Sequence, residues 1–231
     1  MSRARAVWRS PSWQLGFAAT EEPVAGDRLL PAERALVASA GPERVAEFTA
    51  GRHCARLALA SLDPSLARMP VLAGAGGAPV WPAGFVGSIT HCPGWTGAVA
   101  ARSGRWPGSV LPRGLRGVGL DAEPADALPP GVLDVVASAA ERQALTALGA
   151  ERPGIPWDRL LFSAKEATYK ACYPMSGVLV GHDAVRVELS PAGSFTGVAS
   201  ADDASGRASS LAVRGRWVLG PRVVVTLGVV A

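Results

Sequence analysis

The segment Trp157–Pro174, WDRLLFSAKEATYKACYP, constrains this chain more than any other. On a helix, Glu166 and Lys170 stand four residues apart on one face, with Lys165 beside them. A Glu–Lys pair at that spacing is also common surface decoration worth a few tenths of a kcal/mol, so the helix alone decides little. Its company decides more. About forty residues earlier stands Gly117-Val118-Gly119-Leu120-Asp121-Ala122-Glu123, and earlier still Gly87-Ser88-Ile89-Thr90-His91-Cys92. Each is a polar cluster in an apolar setting, and the three together read as one divided active site.

Helical and strand-forming stretches surround these clusters. Residues 32–62 read as helical, because Pro31-Ala32-Glu33 and Pro42-Glu43-Arg44 are proline–acid starts suited to a first turn. Val45, Phe48, Ala55 and Leu59 form an apolar stripe on the second stretch, with Arg52 and Arg56 on a neighbouring face, and Asp63-Pro64 ends it. A Gly/Pro-rich loop from Val71 to Pro82 leads to Val86–His91, and Gly97–Ala101 reads as a short buried strand. The turn-rich segment 102–116 is expected to divide the chain into halves 1–116 and 117–231. The second half opens with a strand, Gly117–Leu120. A weak helix over Gly131–Leu148 follows, with a capping box at Ser138–Glu141. Beyond the Lys-Glu helix, Ala184–Leu189, Ser194–Ala199, Leu211–Leu219 and Val223–Val230 read as antiparallel strands, with a turn at Asp202-Asp203-Ala204-Ser205-Gly206. Helices and small sheets in each half predict an α+β fold.

On a strand, Asp121 and Glu123 point to one side while Val118 and Leu120 face the core. Gly117 and Gly119 share the carboxylate side and are expected to leave space for a ligand or ion. Two carboxylates held close repel, and a hard divalent cation relieves them; Mg²⁺ accepts one or two carboxylates plus water and phosphate oxygens. Alone, such a triplet reads as a solvated strand end. Glu166 adds a third carboxylate, either for the metal or as a general base toward a hydroxyl, and Lys165 and Lys170 would neutralise phosphate charge. Ser88, Thr90 and His91 suit phosphate oxygens, and Arg52 with Arg56 offers an anion fork. Singly, His91 reads as a structural histidine and the arginines as a solvated helix face. Collectively these residues describe a site for a polyanionic phosphate ester, Mg²⁺ and an incoming nucleophile, with phosphoryl-type transfer as the reaction class. Gly74-Ala75-Gly76-Gly77 lacks the GK[ST] ending of a nucleotide P-loop.

Composition narrows the partners. Net charge is +4 over 231 residues, with no run of Lys or Arg, which suits an anionic partner but not a nucleic acid. Three scattered cysteines form neither a disulfide framework nor a zinc motif and suit a reducing compartment. The N-terminus lacks the apolar core of a signal peptide, and no stretch reaches the roughly 18 apolar residues of a membrane span. A soluble, cytoplasmic monomer is the expectation.

At these residues the chain resembles the 4′-phosphopantetheinyl transferases. Gly87-Ser88-Ile89-Thr90-His91-Cys92, Gly119-Leu120-Asp121-Ala122-Glu123 and Phe162-Ser163-Ala164-Lys165-Glu166-Ala167-x-Tyr169-Lys170 look like the signature motifs of that family. Length and motif order are similar to the Sfp-type, pseudodimeric class and its enterobactin-type branch. That branch also has an upstream element matched by Glu47-Phe48…Arg52-His53-Cys54-Ala55-Arg56 and by Ala-Pro-Val-Trp-Pro at 78–82. The likeness covers residues 43–175.

The resemblance implies two similar α+β halves with coenzyme A in the cleft between them. It implies transfer of the phosphopantetheine arm of coenzyme A to a serine of an apo acyl or peptidyl carrier protein, with release of adenosine 3′,5′-bisphosphate. Asp121, Glu123 and Glu166 would surround Mg²⁺, for which Mn²⁺ could substitute. Glu166 would also be the base, and Lys170 would stabilise the diphosphate. Ser88, Thr90 and His91 would hold phosphates, Arg52 and Arg56 the adenylate end, and Lys165 would assist on the phosphates. Two departures stand out: the loop Gly74–Ala78 lacks the basic residue the family often carries there, and Ala122, between the two carboxylates, cannot be a ligand. A Mg²⁺-dependent phosphohydrolase and a non-catalytic carrier- or coenzyme A-binding protein are the alternatives from other classes.

Overall fold

Proline opens the first two helices, where its missing N–H costs nothing and its fixed φ suits the first turn: α1, Pro31–Ala35, and α2, Pro42–Leu62. The computed structural model describes residues 4–10, 13–104, 114–177, 181–202 and 208–231. Two compact units divide the chain, Met1–Val118 with Ala231, and Gly119–Val230.

In the first unit, strands β1 (Ala4–Ser10) and β2 (Trp13–Thr20) precede the helices, and β3 (Leu72–Ala73), β4 (Pro79–Val80), β5 (Phe85–Cys92) and β6 (Trp95–Arg102) follow them. The main sheet runs β1-β2-β6-β5, every neighbour antiparallel, and β3 with β4 forms a separate two-stranded ladder. The core is made of small residues: Cys54, Ala55, Ala58 and Leu59 of α2 meet Ala18, Ala98 and Ala100 of the sheet. Gly16 permits this closeness, since a Cβ there would strike the Ala58 carbonyl. Burial extends around the middle of α2 rather than along one stripe, and it takes in Arg52 and Arg56, so these arginines do not lie on a solvated face.

The second unit is built around the strand and helix that carry the acidic motifs. Strand β7 is Gly117–Pro124; α3 (Val132–Val136), α4 (Ala139–Glu151) and α5 (Trp157–Ser176) come next. Strands β8 (Val185–Ser190), β9 (Ser194–Asp202), β10 (Ala208–Leu219) and β11 (Val223–Val230) complete a sheet of order β7-β11-β10-β9-β8. The β8–β9, β9–β10 and β10–β11 pairs are antiparallel. The single helix expected over Gly131–Leu148 is two, broken at Ala137 where Ser138 caps α4 and accepts from the Glu141 N–H. Of the turn expected at 202–206, Asp202 ends β9 and the rest lies outside the described residues. Most of the segment 102–116 also lies outside them.

Helix α5 buries Leu160, Leu161, Ala164, Ala167 and Ala171 against Val187, Phe195, Val213 and Val224 of the sheet. Trp157 meets Trp217 edge to face at 5.5 Å. A Cβ on Gly119 would collide with the Ala167 carbonyl and the Ala171 amide. The space expected beside the carboxylates at this glycine is therefore filled by α5 itself. Glycine is needed there so that helix and strand can touch. Both units are thus α+β, with small antiparallel sheets packed on helices.

Each unit also carries a wholly or nearly buried glutamate at the third position of the helix that precedes its longest one. Glu33 of α1 accepts from the N–H groups of Leu30 and Val71, and from Arg56 of α2. Glu141 of α4 accepts from the N–H groups of Ser138 and Val187, at 2.8 and 3.0 Å, and pairs with Lys165 of α5 at 3.0 Å.

Candidate active site

Because Gly119 lets β7 lie against α5, Asp121, two residues further along the strand, reaches Lys170. The Lys170 Nζ donates to Asp121 Oδ1 at 2.6 Å, and Asp121 is buried. Glu123 follows on the same side of the strand, where Arg159 Nη1 donates to its Oε2 at 3.1 Å. Arg159 also donates to the Asp126 carboxylate and to the carbonyls of Asp126 and Ala127. It thereby fixes the chain that leaves the strand. Arg159, Glu166 and Lys170 follow one another at seven and four residues on the face of α5 that its apolar stripe leaves open.

Burial raises the Glu166 carboxyl above its ordinary range; Lys170 pulls it back and Asp121 adds to the rise. Glu123 is raised in the same way, by burial first and by Asp121 second, against the pull of Arg159 and Lys170. A carboxyl displaced upward is a better proton acceptor than an ordinary one. The Nε2 of His182 lies 3.7 Å from Glu166 Oε1, and its ring lies tilted against that of Phe162, with centroids 5.5 Å apart.

Among the described residues no three His, Cys, Asp or Glu side chains form a group able to hold a metal ion. The three-carboxylate set expected from the sequence is therefore not a preformed cage, since Lys170 already occupies one oxygen of Asp121. The donor chemistry still fits Mg²⁺. That ion uses one or two carboxylates and takes its remaining oxygens from phosphate and water. Carboxyls driven upward by burial, and further by the Asp121 charge, are those such a cation relieves.

Lys165 is turned into a buried network rather than onto the open face of α5. Its side chain is 2% exposed, and its ammonium is taken up by Glu141 and by the carbonyls of His182 and Val185, at 3.0 and 2.7 Å. Arg56 is likewise withdrawn, bonded to Glu33 and to the Arg28 carbonyl, so the expected two-arginine fork does not form. Arg52 remains a candidate anion group. It is buried with its guanidinium 4.2 Å from the Phe48 ring centroid, its Nη2 donates to the Leu72 carbonyl, and its Nε has no hydrogen-bond partner. Burial lowers its pKa to about 10.

On β5 the alternation of side chains separates the expected phosphate group. Ser88 and Thr90 are buried together on one face. His91 is exposed on the other with Ile89, which meets α2 at Gly51. The His91 Nε2 lies 3.8 Å from Glu47 Oε2.

Comparison with known proteins decides the family. The 4′-phosphopantetheinyl transferase N-terminal domain matches residues 32–101, and the 4′-phosphopantetheinyl transferase superfamily domain matches residues 117–220. The 4′-phosphopantetheinyl transferase Svp of Streptomyces mobaraensis is 42% identical over 96% of this chain and 87% of its own length. The chain belongs to the 4′-phosphopantetheinyl transferase superfamily. Npt of Nocardia iowensis, also a 4′-phosphopantetheinyl transferase, is 38% identical over 85% of this chain and 86% of its own. PptT of Mycobacterium tuberculosis is 44% identical over 67% of this chain and 62% of its own.

Three residues of the transferase's site region escaped the sequence reading. Arg159 stands seven residues before Glu166, a spacing that puts both on one helix face and could have flagged it. Glu141 was seen only as half of a capping box. Nothing local marks His182, which comes to Glu166 through the tertiary fold.

Proposed function

We propose that this transferase moves the phosphopantetheine arm of coenzyme A onto the serine hydroxyl of an apo carrier protein and releases adenosine 3′,5′-bisphosphate. The observation that supports this most is the trio on α5 and β7: Glu166 with its raised carboxyl, and Lys170 one turn on, bonded to Asp121. Glu166 takes the serine proton, directly or through a water. The serine oxygen then bonds to the phosphorus that carries the pantetheine, and the bond from that phosphorus to the adenylate-side oxygen breaks. Lys170 faces the charge gathering on the departing oxygen. Asp121, Glu123 and Glu166 are the residues to hold Mg²⁺, which supplies charge neutralisation on the diphosphate when bound. Arg52 and His91 are assigned to the phosphates of the adenosine end, whereas Ser88 and Thr90, buried on the opposite face of β5, are not grouped with them.

Replacing Glu166 with Gln separates base from binding group. Transfer is expected to fall by about 10²–10⁴-fold, while coenzyme A affinity measured by calorimetry changes little. A Gln variant that transfers at the normal rate removes Glu166 from the mechanism. Chelation of divalent metal should abolish transfer and added Mg²⁺ restore it; full activity in chelator would remove the metal from the proposal.

A further inference from the structure

Lys165 sits next to Glu166 in the signature motif yet points the other way, into a buried network. We propose that Glu141 and Lys165 are positioning residues that clamp the backbone of His182 and Val185 so that the His182 imidazole faces Glu166 and holds its carboxylate in place for catalysis.

The clamp is fully specified by its bonds. The Lys165 ammonium joins the Glu141 carboxylate, the His182 carbonyl and the Val185 carbonyl, all within 3.0 Å. The other oxygen of Glu141 takes the Val187 N–H, and Ser138 donates to the carboxylate from both its N–H and its hydroxyl. Burial opposes ionisation of Glu141, but these bonds outweigh it and hold the carboxyl below its ordinary range. One ion pair therefore ties the start of α4, the middle of α5 and the first residues of β8 to the His182 backbone. From that fixed carbonyl the ring extends over Phe162, with its Nε2 edge turned to Glu166.

The first unit supplies an internal control for the cation's job. There Glu33, also third in its helix, accepts from the N–H of the residue before that helix, from a backbone N–H beyond the long helix, and from Arg56. Arg56 precedes by two residues the alanine whose carbonyl a Cβ on Gly16 would strike; Lys165 precedes by two the alanine that Gly119 meets. The positions correspond, and the residue that stands at the place of Glu166 in this comparison is Leu57. A clamp present where no catalytic carboxylate follows is a bracing device in both units. In the second unit alone it also carries His182.

This inference rests on the reading of Glu166 as the base, and wild-type transfer to an apo carrier tests that reading separately. Changing His182 to Phe keeps the ring on Phe162 but removes its nitrogens. The expected result is a kcat lower by about 10–100-fold, with the KM for coenzyme A within about twofold and an unchanged melting temperature. His182→Gln, which restores a donor, should recover most of the loss. Lys165→Arg should keep most of kcat, as the arginine of the first unit implies, and Lys165→Met should lower kcat while calorimetric affinity for coenzyme A holds. If Lys165→Met does not fold, the His182 pair still decides. A His182→Phe enzyme with wild-type kcat overturns the proposal. So does a loss of coenzyme A affinity in Lys165→Met with kcat intact, which would return the lysine to the phosphates.

Discussion

Glu166 carries a charge that its surroundings disfavour. Its folded carboxyl titrates above the ordinary 4.5, first through burial. Between 4.5 and that raised value the folded protein binds more protons than the unfolded chain, so stability falls as pH rises through the window. Glu166→Gln removes the penalty. In metal-free buffer the variant is expected to melt above the wild type at pH 7, with the gap closing below about pH 4.5. A variant that melts lower by the same amount at every pH would contradict the electrostatic account. Residue types alone singled out Asp121, Glu123, Glu166 and Lys170, and the structure brings Asp121 to Lys170. Lys165 and Arg56 were misread for a reason equally physical: spacing along a helix places a side chain on a face, but only packing says whether that face meets water or a buried carboxylate.

Strand β7 and helix α5 work as a pair, and their separation is set by Gly119. Gly119→Ala must push the helix from the strand, at a cost of about 1–3 kcal/mol by urea denaturation. It should also lower kcat, because Asp121 and Lys170 part with the backbones that carry them. An alanine variant with wild-type stability would show that the contact has slack. The cap on α4 is a smaller device, and Ser138→Ala should cost about 0.5–2 kcal/mol. Local signals marked the cap, the proline starts and all four C-terminal strands, because caps, ring constraints and alternation act within a few residues. The reach of Gly119 to a helix some fifty residues later in the chain is a tertiary fact, and a glycine in sequence looks the same whether it admits a ligand or a helix. The hairpin of β1 and β2 lacked a comparable local signal; it holds its place through pairing with β6.

The whole molecule repeats one plan. A glutamate in the first turn of one helix is bound by a basic residue of the longer helix that follows, and a glycine brings a strand onto that longer helix, once in each unit. The acidic pair and Glu166 stand only in the second. The repeat is hidden in sequence because the matching positions differ, Arg56 for Lys165 and Leu57 for Glu166. With a net charge of +4 the protein suits an acidic partner, and kcat/KM for an acidic carrier should fall as salt rises from low to physiological strength. No helix among the described residues is long and apolar enough to cross a membrane. The proposed reaction is transfer rather than hydrolysis or binding. Intact mass spectrometry of several apo carriers incubated with coenzyme A, Mg²⁺ and this protein tests it most directly. A gain of one phosphopantetheine per carrier, matched by released adenosine 3′,5′-bisphosphate, is the expected result. Cleavage of coenzyme A with every carrier still at its apo mass would contradict it.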